Sequence, residues 1–85
     1  MQLTVWLRFA ISKDVEDDSK ILESIGKEIK ILRLTFGWSQ EKLSEMSGVD
    51  RTFLGKVERG AINVSVLTLC EIAKALGVNI KKIIK

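Results

Sequence analysis

The chain has 85 residues, 46% of them hydrophobic and 29% charged, with one Cys, no His, no Pro and a formal net charge of +3. This length suits one small domain, and the hydrophobic fraction is too high for a disordered chain. No apolar run is long enough to cross a bilayer and no signal peptide is apparent, so we expect no membrane partner. One Cys cannot form an internal disulfide, which excludes a secreted, disulfide-linked scaffold and favours a cytoplasmic location.

Residues 1–18 are predicted to form an N-terminal extension. Apolar side chains alternate along its first part with the period of a half-buried strand: Leu3, Val5, Leu7, Phe9 and Ile11. A helical stripe through Leu3, Trp6, Leu7, Ala10 and Ile11 fits the same residues, so both conformations stay open. Acidic residues fill positions 14 and 16–18, and without residues 1–18 the chain has twelve basic and seven acidic side chains, a net charge of +5.

Residues 19–85 are predicted to form one all-α domain of five short helices, because cap residues and glycines recur at regular intervals. The first helix is expected to be capped by Asp18 or Ser19, to carry apolar residues at helical spacing, and to end at Gly37; the apolar residues are Ile21, Leu22, Ile25, Ile29 and Leu32. The second follows Ser39, points Leu43 and Met46 inward, and ends at Gly48.

The remaining three helices are predicted from the same pattern of cap residues and glycines. The third is predicted after Asp50 over residues 51–59. The fourth follows Ser65, with an apolar stripe that starts at Val66 and a stop at Gly77. The fifth follows Asn79 and contains Ile80, Ile83 and Ile84. Connections of a few residues are typical of a helical bundle with mostly local contacts.

The second and third helices carry the pattern of a helix-turn-helix. Two helices that meet steeply need a small residue at the contact, a turn residue that tolerates positive φ, and an apolar wedge after it; Ser44, Gly48 and Val49 supply these. The third helix is apolar on one side, at Leu54 and Val57. Its other side carries Arg51, Thr52, Lys56 and Arg59, which are free to face a partner.

These residues resemble the Cro/cI-like, or XRE-type, helix-turn-helix transcriptional regulators over about 60 residues, from Ile25 to Ile84. The matching segments are 25–33, 38–43, 50–60 and 69–78. The resemblance implies a five-helix lambda-repressor-like domain in residues 19–85. It also implies a homodimer that binds a palindromic or pseudo-palindromic operator in double-stranded DNA.

Two shorter features are similar to the controller proteins of restriction–modification systems. They are the sequence Asp-Arg-Thr-Phe at the start of the third helix, residues 50–53, and Asn-Val-Ser at residues 63–65. Ordinary phage and plasmid repressors share parts of this pattern, so both kinds of regulator remain open.

The resemblance assigns roles to individual side chains. Base contacts in the major groove are expected from Arg51, Thr52, Lys56 and Phe53. Contacts to phosphates are expected from Ser39, Gln40, Arg59 and Asn63, with Gln40 also bracing the third helix. An arginine can bind guanine O6 and N7 with two hydrogen bonds, and a threonine can contact thymine. Phe53 has a second interpretation, in which it packs into the core. Arg33 and Glu58 match a structural ion pair.

The dimer interface is expected at Val78, Ile80, Ile83 and Ile84, whose apolar surface would otherwise be exposed. The competing hypothesis is a protein-binding adaptor or antitoxin-type module with the same fold. An enzyme is not expected, because a chain without His and with scattered carboxylates assembles no catalytic group, and with one Cys it offers no metal site. No cofactor or small-molecule ligand is expected.

Two further features invite explanation. Ile31, Leu34 and Phe36 are apolar where the family is usually polar, and we hypothesise that Leu3, Trp6, Leu7 and Phe9 cover them, in the same subunit or a partner. The alternative is that the N-terminal residues form a loose leader. Gly55 lies inside the third helix, where it destabilises the helix by about 1 kcal/mol relative to Ala, so either the backbone approaches DNA or a partner closely there or the loss is tolerated.

Overall fold

The computed structural model describes residues 18–84, and all regular structure in that range is helical. The elements are α1 (Asp18–Thr35), α2 (Gln40–Ser47), α3 (Arg51–Glu58), α4 (Val66–Leu76) and a 3₁₀ turn (Ile80–Lys82). Both alternatives for the N-terminal extension concern residues outside the described range. None of the helices in residues 18–84 has the length and apolar character needed to cross a membrane.

At four of the five predicted helix starts, the side chain of the cap residue accepts a hydrogen bond from the first turn that follows. The donors are the backbone N–H groups of Lys42, Phe53, Thr68 and Lys81, bonded to Ser39, Asp50, Ser65 and Asn79 respectively. These bonds satisfy N–H groups that have no partner inside the helix. The starts of α2, α3, α4 and the 3₁₀ turn are therefore set by local sequence, as predicted.

The core lies between the four helices, and α4 packs against α1 as well as against α2. Packing joins α1 to α3, α2 to both α3 and α4, and the 3₁₀ turn to α4. Eleven buried apolar residues form the cluster: Ile25, Ile29, Leu32, Leu43, Leu54, Val57, Leu69, Ile72, Ala73, Leu76 and Ile83. One face of α3 is thus held in the core while its other face stays free.

Helices α1 and α3 approach each other so closely that two glycines are required. A Cβ on Gly26 would lie within 2.5 Å of the Glu58 carbonyl oxygen and would also overlap the Val57 carbonyl. A Cβ on Gly60 would lie 2.8 Å from Cα of Glu23, and Gly60 also has φ +68°. Neither contact is visible in the sequence, where Gly26 interrupts an otherwise regular helical pattern.

The structure corrects the predicted fifth helix. The segment after Asn79 makes a single 3₁₀ turn of three residues, so the described range contains four α-helices rather than five. The N–H groups of Ile83 and Ile84 both donate to the Ile80 carbonyl oxygen at 2.9 Å. Such tight turns are common in pieces too short to propagate an α-helix.

Two residues expected to face inward are exposed. Met46 is 50% exposed and Val66 is 61% exposed. Each lies on the edge of its helix's apolar stripe, and the neighbouring helices pack against the centre of that stripe, at Leu43 and Leu69. Periodicity alone places a residue on a helix but does not say how wide the buried stripe is.

The outer side of α1 and the turn after it carry apolar side chains that the described residues leave uncovered. Ile31 is 50%, Leu34 56% and Phe36 49% exposed. The Phe36 ring lies 5.6 Å from the half-buried Trp38 ring, centroid to centroid. We call Ile31, Leu34 and Phe36 the outer apolar patch. The residues proposed to cover it, Leu3 to Phe9, lie outside the described range.

Candidate nucleic-acid interface

The turn between α2 and α3 has the geometry that the motif predicts. Gly48 adopts φ +75°, a left-handed conformation that disfavours residues with a Cβ, and its N–H donates to the Ser44 carbonyl oxygen at 2.9 Å. The Ser44 hydroxyl donates to the Val49 carbonyl oxygen, and the half-buried Val49 side chain packs against the core. This turn sets the direction in which α3 leaves α2.

Behind the turn, a buried ion pair joins α1 to α3. The Arg33 guanidinium donates from Nε to Glu58 Oε2 at 2.8 Å and from Nη2 to Oε1 at 2.9 Å, so the pair is bidentate. A third bond runs from Arg33 Nη1 to the Trp38 carbonyl oxygen at 2.9 Å. The two side chains are 8% and 3% exposed. This confirms the predicted structural role of both residues.

Gln40 extends this network to the start of α2. Its Nε2 donates to Glu58 Oε1 at 3.0 Å, which is the brace between α2 and α3 that we expected. The Gln40 side chain also lies over Gly55, where a Cβ would be 3.5 Å from Gln40 Oε1 and 3.4 Å from Arg59 Nη1. A primary amide has two N–H donors, so one remains for a phosphate while the other holds Glu58.

The nearest neighbours of Gly55 are therefore side chains of the protein itself, at ordinary contact distance. The residue is buried under the side chains of Gln40 and Arg59, an arrangement that the sequence interpretation did not include. The space around it would accept a methyl group in ordinary contact. The side chains of Gln40 and Arg59, both predicted to bind phosphate, thus lie next to each other over Gly55 on one side of α3.

The solvent face of α3 carries three of the predicted base-contacting residues. Arg51, Thr52 and Lys56 are exposed, whereas Leu54, Val57 and Glu58 on the opposite face are buried. Phe53 lies between the two faces: it is half-buried, packs against the core, and lines a groove with Val49 and Leu67. The structure thus contains the core packing that was its second interpretation.

The remaining predicted phosphate contacts lie in two places. Ser39 is exposed at the start of α2, and its Oγ accepts from Lys42 N at 3.0 Å, which leaves the hydroxyl hydrogen free to donate. Asn63 is exposed beside the start of α1, where it lines a small cleft with Asp18, Ile21 and Leu22.

One residue at this surface was missed by sequence reasoning. Glu41, in the first turn of α2, places Oε1 3.9 Å from Nε of Arg51. The ion pair joins residues ten apart on two different helices, so neither helical spacing nor a motif indicates it. Only the angle between α2 and α3 brings the two side chains together.

The predicted dimer residues divide into buried and accessible ones. Ile83 is 2% exposed and belongs to the core, so its side chain supports this surface from behind instead of lining it. Val78 and Ile80 are half-buried, and Ile84 is 37% exposed. Val78 and Ile80 line a shallow cleft together with Cys70. The half-buried Cys70 thus lies beside this surface.

Comparison with known proteins places this geometry in a family. The helix-turn-helix family model matches residues 29–83, more than half of the chain. The control protein C.SmaI of Serratia marcescens is 39% identical over 64 residues, which cover 75% of this chain and 76% of the relative.

Solved structures agree with the sequence comparison. The restriction–modification controller protein C.AhdI from Aeromonas hydrophila is 39% identical with a TM-score of 0.71, over 73% of this chain and 94% of that one. The controller protein C.Esp1396I, crystallised as a tetramer with its natural 35-base-pair operator, is 34% identical with a TM-score of 0.67. That match covers 76% of this chain and 96% of the other.

Proposed function

We propose that this chain is a controller protein of a restriction–modification system and that it binds its operator as a homodimer. The chain belongs to the XRE-type helix-turn-helix family of DNA-binding transcriptional regulators. The controller part rests on the likeness to C.SmaI and C.AhdI, each named as a controller protein. Because its proposed target is bacterial DNA, we propose that it acts in the cytoplasm.

The observation that carries sequence-specific binding is the two-sided character of α3. Its inner face is held by the Arg33–Glu58 pair and the Gln40 brace, while Arg51, Thr52 and Lys56 project from its outer face. Base reading needs donors held in a fixed register, which the buried network provides. We assign base contacts to Arg51, Thr52, Lys56 and the exposed part of Phe53.

Phosphate contacts would hold this helix in register on the duplex. We assign them to Ser39 and Gln40 at the start of α2, to Arg59 after α3, and to Asn63. A free hydroxyl at Ser39 and an unused amide N–H at Gln40 are suitable neutral donors to phosphate oxygens. The positive end of the α2 dipole favours the same negatively charged partner.

Selection of bound duplexes from random DNA tests this assignment most directly. We expect a palindromic or pseudo-palindromic site whose halves lie about 34 Å apart. Arg51→Ala should lower discrimination at one base pair in each half by about 1–3 kcal/mol, whereas Arg59→Ala should weaken binding to all sequences. Lys27→Ala, which removes an exposed charge from α1, is the matched control. Equal losses for Arg51→Ala on specific and random DNA would contradict its role.

Dimerisation is proposed through Val78, Ile80 and Ile84, with Ile83 behind them. An acidic side chain in this surface would be desolvated on association, so Ile84→Asp should weaken the dimer at least tenfold in sedimentation experiments. Val66→Asp, at the opposite end of α4 and 61% exposed, is the control. A dimer unaffected by Ile84→Asp, or equally weakened by both variants, would place the interface elsewhere.

A protein-binding adaptor remains the second candidate because of one surface feature. Leu67 is 77% exposed and lines the groove that also contains Phe53 and Val49, an apolar surface suited to a protein partner. The salt dependence of duplex binding separates the two functions. Affinity that falls steeply with salt supports DNA binding, whereas no measurable duplex binding at low salt supports the adaptor.

A further inference from the structure

The ion pair between Glu41 and Arg51 lies at the surface that the proposed function turns toward DNA. Glu41 is in the first turn of α2 and its side chain is 80% exposed; Arg51 is the first residue of α3 and its side chain is 57% exposed. The distance from Oε1 to Nε is 3.9 Å. A carboxylate at such a surface repels phosphates, so its presence beside a base-reading arginine calls for an explanation.

The Glu41 carboxylate lies nearest to Nε of the Arg51 guanidinium, which suggests how Arg51 can be held and still bind a base. Arginine binds guanine most often through a pair of N–H groups directed at O6 and N7. A carboxylate at Nε leaves both terminal nitrogens, Nη1 and Nη2, available for that pair. It also reduces the conformations open to a long side chain before DNA is bound.

Glu41 can act in this way because the start of α2 is fixed relative to α3. The Ser39 cap holds the first turn, with Lys42 N donating to Oγ at 3.0 Å. The next residue, Gln40, donates to the buried Glu58 at 3.0 Å. The backbone that carries Glu41 is thus anchored to α3, the helix that carries Arg51.

We propose that Glu41 is a positioning residue that sets the base preference of Arg51. The inference rests on the proposed DNA-binding function. On a site with guanine in place, Arg51 binds the base while Glu41 holds its Nε edge. On other sites the arginine has no base partner, and the Glu41 carboxylate adds repulsion from the phosphates. Glu41 thereby widens the gap in affinity between specific and non-specific DNA.

The simpler role of an acidic residue in a first turn is to interact favourably with the helix dipole. That role predicts a change in helix stability and none in base preference. The experiment therefore compares Glu41→Gln with Glu45→Gln. Glu45 lies one turn later on α2, is 75% exposed, and pairs with Lys42 at 3.7 Å. Glu45→Gln therefore also removes an exposed, paired carboxylate from α2 and makes the same change in net charge.

Binding constants are measured for both variants on the selected operator and on operators altered at each base pair in turn. Glu41→Gln should reduce discrimination about two- to fivefold, the range of an exposed ion pair, and only at the base pair that Arg51→Ala identifies. Glu45→Gln should leave discrimination at every position unchanged. In an Arg51→Ala background, Glu41→Gln should have no further effect on discrimination. Thermal unfolding checks that each variant folds.

The inference is overturned if Glu41→Gln and Glu45→Gln change the affinity for all duplexes equally, or if the effect of Glu41→Gln persists without Arg51. In either case a wild-type protein that selects an operator leaves the proposed function intact. A wild-type protein that prefers no sequence overturns both.

Discussion

Each side of α1 contains an exception to the usual distribution of side chains. Its inner side buries a charged residue, Arg33, whereas its outer side exposes Ile31 and Leu34. Arg33 is tolerated inside because Glu58 and the Trp38 carbonyl occupy the donors described above. Within residues 18–84, no buried side-chain nitrogen or oxygen lacks a hydrogen-bond partner.

Burial of a side chain on α1 therefore depends on what the helix packed against it offers. On the inner side, α3 supplies a carboxylate and a backbone surface that fit α1 closely. On the outer side, no described element packs against the outer apolar patch. The inner side is therefore a completed contact, and the outer side is a surface for which we predict a covering segment.

The largest expected change in the free energy of unfolding comes from breaking the buried ion pair between α1 and α3. Glu58→Ala leaves the Arg33 guanidinium buried without a counter-charge and removes the acceptor for Gln40, so unfolding should become easier by about 3–5 kcal/mol. Urea denaturation measures the change. Glu71→Ala, which removes an exposed partner of Lys74, should change stability by less than about 1 kcal/mol. Similar losses for the two variants would show that the buried pair has no special role.

A smaller effect is expected from filling space between α1 and α3. Gly26→Ala places a methyl group against the carbonyl oxygens of Val57 and Glu58 and should destabilise the fold by about 1–3 kcal/mol, although Ala favours helices. Gly55→Ala is the control: it meets only ordinary contacts and should stabilise α3 by up to about 1 kcal/mol. Denaturant midpoints of both variants test the pair. Changes of the same sign would contradict the difference in packing.

The smallest effect concerns the outer side of α1. If residues 1–13 cover the outer apolar patch, their deletion should lower the stability by about 1 kcal/mol in total, as expected when half-exposed side chains lose part of their cover. Deletion is also expected to change the oligomeric state if the cover comes from a partner subunit. Calorimetry and sedimentation of the shortened chain measure these two quantities. Ile31→Lys should be damaging in the full chain and neutral in the shortened one. Unchanged stability and oligomeric state would refute the covering role.

Much of this protein follows from short-range rules. The starts of α2, α3, α4 and the 3₁₀ turn can be predicted from their cap residues, because a side-chain oxygen there accepts a hydrogen bond from an otherwise unpaired N–H group two or three residues later. These cap residues are Ser39, Asp50, Ser65 and Asn79. Gly48 predicts the turn because residues with a Cβ are disfavoured at positive φ. The family pattern was also sufficient to predict the Arg33–Glu58 pair and to divide α3 into a core face and a free face.

Other features could not be read along the chain, because they depend on distances between helices. Met46 and Val66 have the right period for the core, but the packing of α2 and α4 leaves both outside it. Residues 80–84 have an apolar pattern suited to a helix, yet they form only a 3₁₀ turn.

The sequence by itself determined where α2, α3 and α4 begin and which face of α3 is apolar, because caps, glycines and periodicity act over a few residues. Only the tertiary structure decided that Gly26 must lack a side chain, that Gly55 lies under Gln40 and Arg59, and that Glu41 reaches Arg51. Each of these contacts joins residues on separate elements or across a helix surface, and its geometry exists only once the helices have packed.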